Sequence, residues 1–218
     1  MKRVPEPEIM DGDAQALAYA RADFTAVNQG FVERLLARFP GLRDGVIADV
    51  GCGPADIPLR LTVAAPALHV VAIDASPAML RLAAKSIRAR GARAVSLVCA
   101  RLPDVPAPTG AFDAIISNSL LHHLPEPVAF WREIRRLGRP RAPVHAMDLF
   151  RPQSTDDARR IVDAAAANED PILRDDFFNS LLAAYEPAEI QEQLDVAGLG
   201  HLRCEVVSER HWLVSGRL

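Results

Sequence analysis

The chain has 218 residues, of which half are hydrophobic and 24% are charged, and its formal net charge is −3. At about 100–200 residues per domain, this length predicts one domain or two small ones, and the composition is that of an ordinary globular protein. The slightly acidic balance argues against a general nucleic-acid binder. The three cysteines are widely spaced, which argues against a disulfide framework and against a cysteine zinc site.

Targeting and membrane segments are not expected. No run approaches the about 18–20 apolar residues of a membrane span. Prolines and glutamates follow the basic start of the chain, where a signal peptide needs an apolar segment. We therefore expect a cytoplasmic protein, and the abundance of Ala, Arg and Pro suggests a bacterial source.

The first elements in chain order are a flexible lead over residues 1–8 and a helical stretch over residues 11–39. Apolar residues at spacings of three and four predict this stretch, and Pro40-Gly41 ends it. Short apolar runs then alternate with helical patterns. The runs predict strands at residues 46–50, 68–74, 95–99, 112–118 and 144–149, and the helical patterns cover residues 56–64, 76–90 and 125–137.

After residue 149 the alternation stops. The last part of the chain is predicted to contain helices at residues 154–167, 177–185 and 189–197 and strands at residues 201–208 and 211–215. Strands that alternate with helices of this length predict a parallel α/β sheet. The strands are almost wholly apolar, as expected when helices cover both faces of the sheet.

The strongest chemical signal is Asp49-Val50-Gly51-Cys52-Gly53, which follows the first strand and precedes a helix. Glycines there let a ligand approach the backbone closely, at the strand end where open α/β sheets bind ligands. Asp74 ends the next strand, where a carboxylate can accept hydrogen bonds from ribose hydroxyls. The pair predicts a nucleotide-like ligand; the structural alternative is a plain glycine turn with a helix-capping aspartate.

The position of Asp56 narrows the ligand class. A dinucleotide fingerprint has a third glycine there, and a carboxylate would repel the pyrophosphate, which disfavours a nucleotide-dependent oxidoreductase. A ligand with a ribose but no phosphate, such as S-adenosylmethionine, fits this loop better.

The sequence resembles the class I S-adenosylmethionine-dependent methyltransferases. Within this family it is most similar to the small-molecule methyltransferases that are described as type 11-like. The stretches that carry the resemblance are Asp49–Gly53, Ile73–Leu80, Gly110–Asn118 with Leu120–Leu124, and Glu133–Leu137 through Asp148. The match covers roughly residues 45–150. It implies a Rossmann-like seven-stranded sheet, mostly parallel, with helices on both faces and an antiparallel last strand.

The resemblance also implies a role for each matching position. The backbone of Gly51, Cys52 and Gly53 is expected against the methionine part of S-adenosylmethionine, and Asp74 is expected on the ribose. The remaining implied contacts are Ala75 and Met79 beside the adenine, Ser117 near the sulfonium or amino-acid end, and Asp49 supporting the loop or meeting the ammonium through water.

One departure from the family concerns the adenine. Many relatives have an aspartate after the third strand, where this chain has Ala100-Arg101-Leu102. Because arginine offers no acceptor to the adenine amino group, we expect the backbone of Arg101 and Leu102 to hold the ring. Asp104 is a less favoured substitute.

The residues that would contact the methyl acceptor are less well defined by the sequence, because methyl transfer needs a base only if the acceptor must lose a proton. His122 and His123 follow the fourth strand and are candidate bases, together with Tyr19; helix packing or capping is the structural alternative for the histidines. Asp148 ends the fifth strand, with capping or pairing to Arg151 as its structural explanation. Aromatic and polar residues predict a pocket cover in two segments: Tyr19, Asp23 and Phe24 in one, and Asp176, Phe177, Phe178 and Asn179 in the other.

These observations predict one methyltransferase domain over residues 1–218. Its parts are an N-terminal helical lid at 1–44, a cofactor-binding core at 45–149, a helical cover at 150–185, and a C-terminal helix with edge strands at 186–218. The expected reaction is in-line methyl transfer from S-adenosylmethionine to a small molecule, leaving S-adenosylhomocysteine. The alternatives are an RNA or protein acceptor and a non-catalytic binder of the cofactor.

Other partners are not predicted. The basic cluster of Arg132, Arg135, Arg136, Arg139 and Arg141 is expected to be a solvated surface rather than a nucleic-acid contact. No metal is expected, because no single element carries histidines and carboxylates at ligand spacing. The sequence leaves the oligomeric state and the methylated atom open.

Overall fold

The predicted strands assemble into one seven-stranded sheet in a computed structural model, in which residues 1–6 and 12–218 are described. The strands are β1 (Asp44–Val50), β2 (Ala67–Asp74), β3 (Val95–Cys99), β4 (Ala114–Asn118), β5 (Pro143–Leu149), β6 (Cys204–Val206) and β7 (His211–Arg217). Their order is β3-β2-β1-β4-β5-β7-β6. The pairs from β3 to β5 are parallel, and β7 is antiparallel to both of its neighbours. The predicted fold class is therefore confirmed.

The helices follow the predicted alternation closely in the core. They are α1 (Asp13–Arg21), α2 (Thr25–Arg38), α3 (Asp56–Ala64), α4 (Pro77–Arg90), α5 (Pro127–Leu137), α6 (Thr155–Ala165), α7 (Pro171–Ala183) and α8 (Pro187–Val196), with a short 3-10 helix at Leu121–His123. Within the described parts of the chain, none of these helices combines the length and apolarity that crossing a membrane requires.

Local caps define both ends of α4. The Ser76 hydroxyl accepts a hydrogen bond from the amide of Met79 at 3.2 Å, and Pro77 occupies the first turn. Gly91 follows the last turn with a φ of +62°, a conformation that favours glycine. These caps fix the start of α4 directly after the carboxyl end of β2.

Both faces of the sheet are buried, which explains why its central strands are apolar throughout. Neighbouring residues of β1 point to opposite faces: Ile47 packs in the cluster that includes α2 and α3, and Ala48 packs in the cluster that includes α5 and α8. In β1 and β4 the polar side chains lie at or next to the strand ends.

Two predictions about the N-terminal region are wrong. The helical stretch at 11–39 is two helices, since the chain leaves the helical conformation between Arg21 and Thr25; Asp11 lies outside the described residues. Residues 1–6 of the expected flexible lead pack on the fold. Their donors meet carbonyls near the end of α7: the Val4 amide donates to Leu182 O at 3.0 Å. Pro7 and Glu8 of that lead are also outside the described residues.

Candidate functional site

The carboxyl ends of β1, β2 and β4 meet at a cavity of about 670 Å³, which we call the main cavity. This volume lies within the range of small-molecule sites, about 300–1,000 Å³. Nine of the ten residues predicted to bind the cofactor line it: Asp49, Gly51, Cys52, Gly53, Asp74, Ala75, Met79, Arg101 and Leu102. The fold thus brings together residues from three strand ends.

The glycine loop after β1 is shaped by its contacts with two neighbouring segments. The amides of Gly51 and Cys52 both donate to Ile73 O of β2, at 2.8 and 3.0 Å. Gly51 has a φ of +78°, and a Cβ at this position would lie 2.8 Å from the Leu120 side chain. Only glycine meets both requirements, and its backbone remains open to the main cavity.

Asp74 joins this loop to α4. One carboxylate oxygen accepts a hydrogen bond from the Gly53 amide and the other accepts one from the Ser76 amide, each at 2.8 Å. A carboxylate offers about four lone-pair sites, so one such side chain can accept from backbone amides and from ligand hydroxyls at the same time. The side chain can therefore hold the loop and a ligand hydroxyl together.

Asp49 is buried beneath the loop with 2% of its surface exposed. Burial, followed by the nearby Asp74 charge, raises the pKa of Asp49 to about 8. Its Oδ2 atom is buried and has no hydrogen-bond partner among the described residues. A cationic ligand group beside Asp49 would favour its ionised form, so this carboxyl group is suited to pair with such a group.

The cysteines differ in environment. Cys52 is buried in the loop, and burial raises the pKa of its thiol well above the ordinary value. Burial also raises the pKa of Cys204 to about 12. Cys99, at the end of β3, is exposed.

The predicted adenine side of the cavity contains a buried methionine and the segment after β3. Met79 is 4% exposed and packs against Ala16 of α1. Arg101 and Leu102 line the cavity where many relatives have an aspartate, and the Asp104 side chain does not line it. The expectation that backbone groups replace that aspartate stays a prediction.

Ser117 is buried at the end of β4, and its expected proximity to the donor stays a prediction. Its hydroxyl donates to Val50 O at 2.8 Å, and the residue is 3% exposed. The hydroxyl is occupied in tying β4 to the end of β1. Asn118, Ser119 and Leu120 line the main cavity instead, because they follow the strand at its open end.

A second cavity of about 140 Å³ adjoins the main one. The two share a wall formed by Tyr19, Ala22, Phe24, Asn28, Asn118, Ser119 and His123. Beyond this wall the second cavity is lined from α7 by Asp176, Phe177 and Ser180. Asp23 also lines it, whereas Phe178 packs in the cluster between α6 and α7.

His122 forms a buried pair with Asp148. Its Nδ1 atom lies 2.6 Å from Asp148 Oδ1, and the other carboxylate oxygen accepts the His122 amide. Burial would raise the pKa of Asp148, but His122 and three hydrogen bonds hold it below the ordinary value. Burial opposes charge on His122, yet Asp148 raises the pKa of the ring. Asp148 therefore does not pair with Arg151, which bonds to Glu186 and Glu189.

The two other candidate bases lie on the wall between the cavities. Burial raises the pKa of Tyr19 to about 12, so its hydroxyl keeps its proton near neutral pH and acts as a hydrogen-bond donor. His123 Nδ1 faces Glu6 Oε1 at 3.2 Å. Glu6 carries no signal in the sequence, because the N-terminal lead that contains it has no periodicity and no motif.

Comparison with known proteins identifies the core. A family described as a methyltransferase domain matches residues 47–141. Over 91 residues the chain is 35% identical to a malonyl-[acyl-carrier protein] O-methyltransferase of Legionella pneumophila, covering 42% of this chain and 31% of that protein. Over 105 residues it is 29% identical to a demethylmenaquinone methyltransferase of Anoxybacillus flavithermus, covering 48% and 44%. The chain thus spans less than half the length of these curated relatives.

A solved structure extends the similarity to nearly the whole fold. A SAM-dependent methyltransferase from Aquifex aeolicus is 20% identical, with a TM-score of 0.69, and the match covers 93% of this chain and 97% of that one. At this identity the similarity shows the fold.

The buried Asp49 predicts a pH-dependent stability. When the pKa of an acid is higher in the folded state than in the unfolded state, the protein loses stability as the pH rises from the unfolded-state pKa to the folded-state pKa. For Asp49 this range runs from 3.8 to about 8. Asp49→Asn removes this titration, so its melting temperature relative to the wild type should increase between pH 5 and pH 9. Each pKa unit is worth about 1.4 kcal/mol, or about 3–5 °C at this chain length.

Thermal unfolding of the ligand-free protein across this pH range checks the prediction. Asp44→Asn, at the exposed start of the same strand, is the control and should show a constant difference from the wild type. A constant difference for Asp49→Asn as well would contradict a raised pKa at that site.

Proposed function

We propose that this chain, whose residues 47–141 match a family described as a methyltransferase domain, transfers a methyl group from S-adenosylmethionine to a small molecule. The observation that carries the proposal is the pair of joined cavities. The main cavity contains the residues expected to bind the donor, and the second cavity opens from its wall. We assign the second cavity to the acceptor.

The residues of the main cavity fit the donor in its three parts. Asp74 has accepting capacity for the ribose hydroxyls, and the loop of Gly51 and Gly53 offers open backbone to the methionine part. Asp49 is suited to the ammonium group, since its unpaired oxygen gains a cationic partner there. The proposed adenine contacts are Ala75, Met79, Arg101 and Leu102.

S-adenosylmethionine supplies an electrophilic methyl group when bound, so the work of this chain is to position the acceptor and exclude water. We propose that Tyr19, His122 and His123 contact the acceptor. Tyr19 donates a hydrogen bond, since its pKa of about 12 keeps the hydroxyl protonated. Asp148 holds the His122 ring in one orientation through the 2.6 Å contact at Nδ1.

We also propose that two segments cover the acceptor, the helices α1 and α2 on one side and α7 on the other. Asp176, Phe177 and Ser180 of α7 line the second cavity opposite Tyr19 and Phe24. Apolar walls with a few polar groups are typical of small-molecule pockets. The cytoplasmic location and bacterial source inferred from composition stay predictions.

Calorimetry followed by an acceptor screen tests this function. S-adenosylhomocysteine should bind with micromolar or tighter affinity, about −8 kcal/mol or better, and NAD should not. A screen with radiolabelled donor should include carboxylic acids, hydroquinones and amines, since curated relatives act on malonyl-[acyl-carrier protein] and demethylmenaquinone. Tight binding of NAD without S-adenosylhomocysteine binding contradicts the proposal. Methylation only of RNA or protein contradicts the small-molecule assignment.

Removing one accepting oxygen of Asp74 should weaken donor binding. Asp74→Asn replaces a carboxylate whose hydrogen bonds are worth about 1.5–3 kcal/mol each, so the Kd for S-adenosylhomocysteine should rise at least tenfold in calorimetry. Asp104→Asn, on the exposed loop after β3, is the control and should bind normally. An unchanged Kd in a folded Asp74→Asn protein would remove Asp74 from the donor site.

The lid assignment predicts a ligand-dependent change in α1. Amide hydrogen exchange over Asp13–Arg21 should slow when S-adenosylhomocysteine is added, because α1 packs on Met79 beside the proposed adenine site. Exchange over α5, on the far side of the sheet from α2 and α3, is the internal control. Equal protection of α1 in both states would make it fixed structure rather than a lid.

A further inference from the structure

Three ligand-type side chains converge beside the second cavity: Glu6, His122 and His123. Glu6 Oε1 lies 3.4 Å from His122 Nε2 and 3.2 Å from His123 Nδ1. One ligand atom from each residue lies within 4.8 Å of the other two. The histidines belong to the 3-10 helix after β4, and the carboxylate comes from the N-terminal segment.

The Glu6 carboxylate is held at this position by the segment that precedes it. Arg3 donates to His122 O at 2.8 Å, and its guanidinium lies 4.1 Å from the centre of the Tyr185 ring. The Glu6 side chain is only 10% exposed. Its Oε1 atom is buried and accepts no hydrogen bond from the described residues. A buried carboxylate oxygen aimed at two imidazole rings is costly unless a cation or a proton lies between them.

Asp148 decides which nitrogen of His122 faces Glu6. Asp148 Oδ1 also accepts the Leu149 amide, so the carboxylate acts as an acceptor and His122 Nδ1 carries the hydrogen. In its neutral form the ring then presents the lone pair of Nε2 to Glu6. A carboxylate behind a histidine is the usual support of a metal-ligating imidazole, because it fixes the tautomer and increases ligand basicity.

We propose that Glu6, His122 and His123 bind a divalent transition-metal ion of the zinc class, with Asp148 supporting His122. Zinc bonds of about 2.0–2.1 Å in a tetrahedral site place ligand atoms about 3.3–3.4 Å apart. The two separations from Glu6, 3.4 and 3.2 Å, match that spacing. Two imidazoles and one carboxylate are a ligand set that zinc accepts in open, three-ligand sites.

The open fourth position faces the second cavity, which both histidines line. This part of the inference rests on the proposed function: the fourth ligand is then the acceptor, and it is an oxygen acceptor such as a hydroxyl group. The ion lowers the pKa of that hydroxyl, and its proton passes to water. The oxygen lone pair forms the bond to the methyl carbon, and the electrons of the broken sulfur–carbon bond remain on sulfur. Ligand spacing along single elements does not reveal this site, because Glu6 and the two histidines belong to different segments.

Titration of chelator-treated protein with Zn²⁺ and with Co²⁺ tests the site without donor or acceptor present. We expect one ion per chain and, for Co²⁺, the intense visible absorption of a four-coordinate complex. Glu6→Gln and His123→Gln should each weaken binding at least tenfold, and Asp148→Asn should weaken it about 10–100-fold. Thermal unfolding of each variant establishes that it is folded.

Matched controls separate this site from adventitious binding. Glu169→Gln changes a carboxylate that lines the second cavity but lies outside the cluster, and His201→Gln changes an exposed histidine; both should bind normally. Absence of binding at micromolar ion, or binding that Glu6→Gln and His123→Gln leave unchanged, overturns the proposal. Since S-adenosylhomocysteine binding is measured separately, either proposal can fail while the other stands.

Discussion

The carboxylate of Asp74 is the interaction on which the geometry of the main cavity depends. It ends β2, and its two oxygens accept from Gly53 in the loop after β1 and from Ser76 at the start of α4. Two neighbouring strand ends and one helix start are therefore held in register by one side chain. The loop can keep its left-handed residues because these bonds, together with those to Ile73 O, fix its backbone.

The second cavity depends on a different kind of structure. The main cavity is formed largely by strand ends of the sheet, whereas the second cavity draws much of its wall from α1, α2, α7 and the turn before β7. These elements meet through side chains, as where Gln15 donates to Asp176 at 2.9 Å. Such contacts can differ between proteins without disturbing the sheet. This separation agrees with a family match that covers residues 47–141 and leaves out both covering segments.

The sequence predicts those features of the fold that depend on neighbouring residues, and it does not predict those that depend on contacts between distant segments. The strands and α4 are predictable because burial on two faces produces apolar runs and because Ser76, Pro77 and Gly91 are local caps. The early start of α7 was missed although Asp170-Pro171 is a start signal, with the Asp170 carboxylate accepting the Ile172 amide. The position of Ser117 was not predictable, since an apolar run does not reveal which side of a strand a small polar residue occupies. The pairing of His122 with Asp148 requires the adjacency of β4 and β5, and the position of Glu6 requires the complete fold.

The distribution of thiols has a practical consequence for observing ligands in solution. Cys52 and Cys204 have burial-raised pKa values, which suppress the reactive thiolate, whereas Cys99 is exposed. In the sheet Cys99 lies opposite Asp74, and Arg101 of the main cavity follows two residues later. An environment-sensitive fluorophore coupled by maleimide chemistry therefore attaches to the unaltered chain at one native position. A label there lies beside the strand end that carries Asp74, so it is placed to report occupancy of the main cavity.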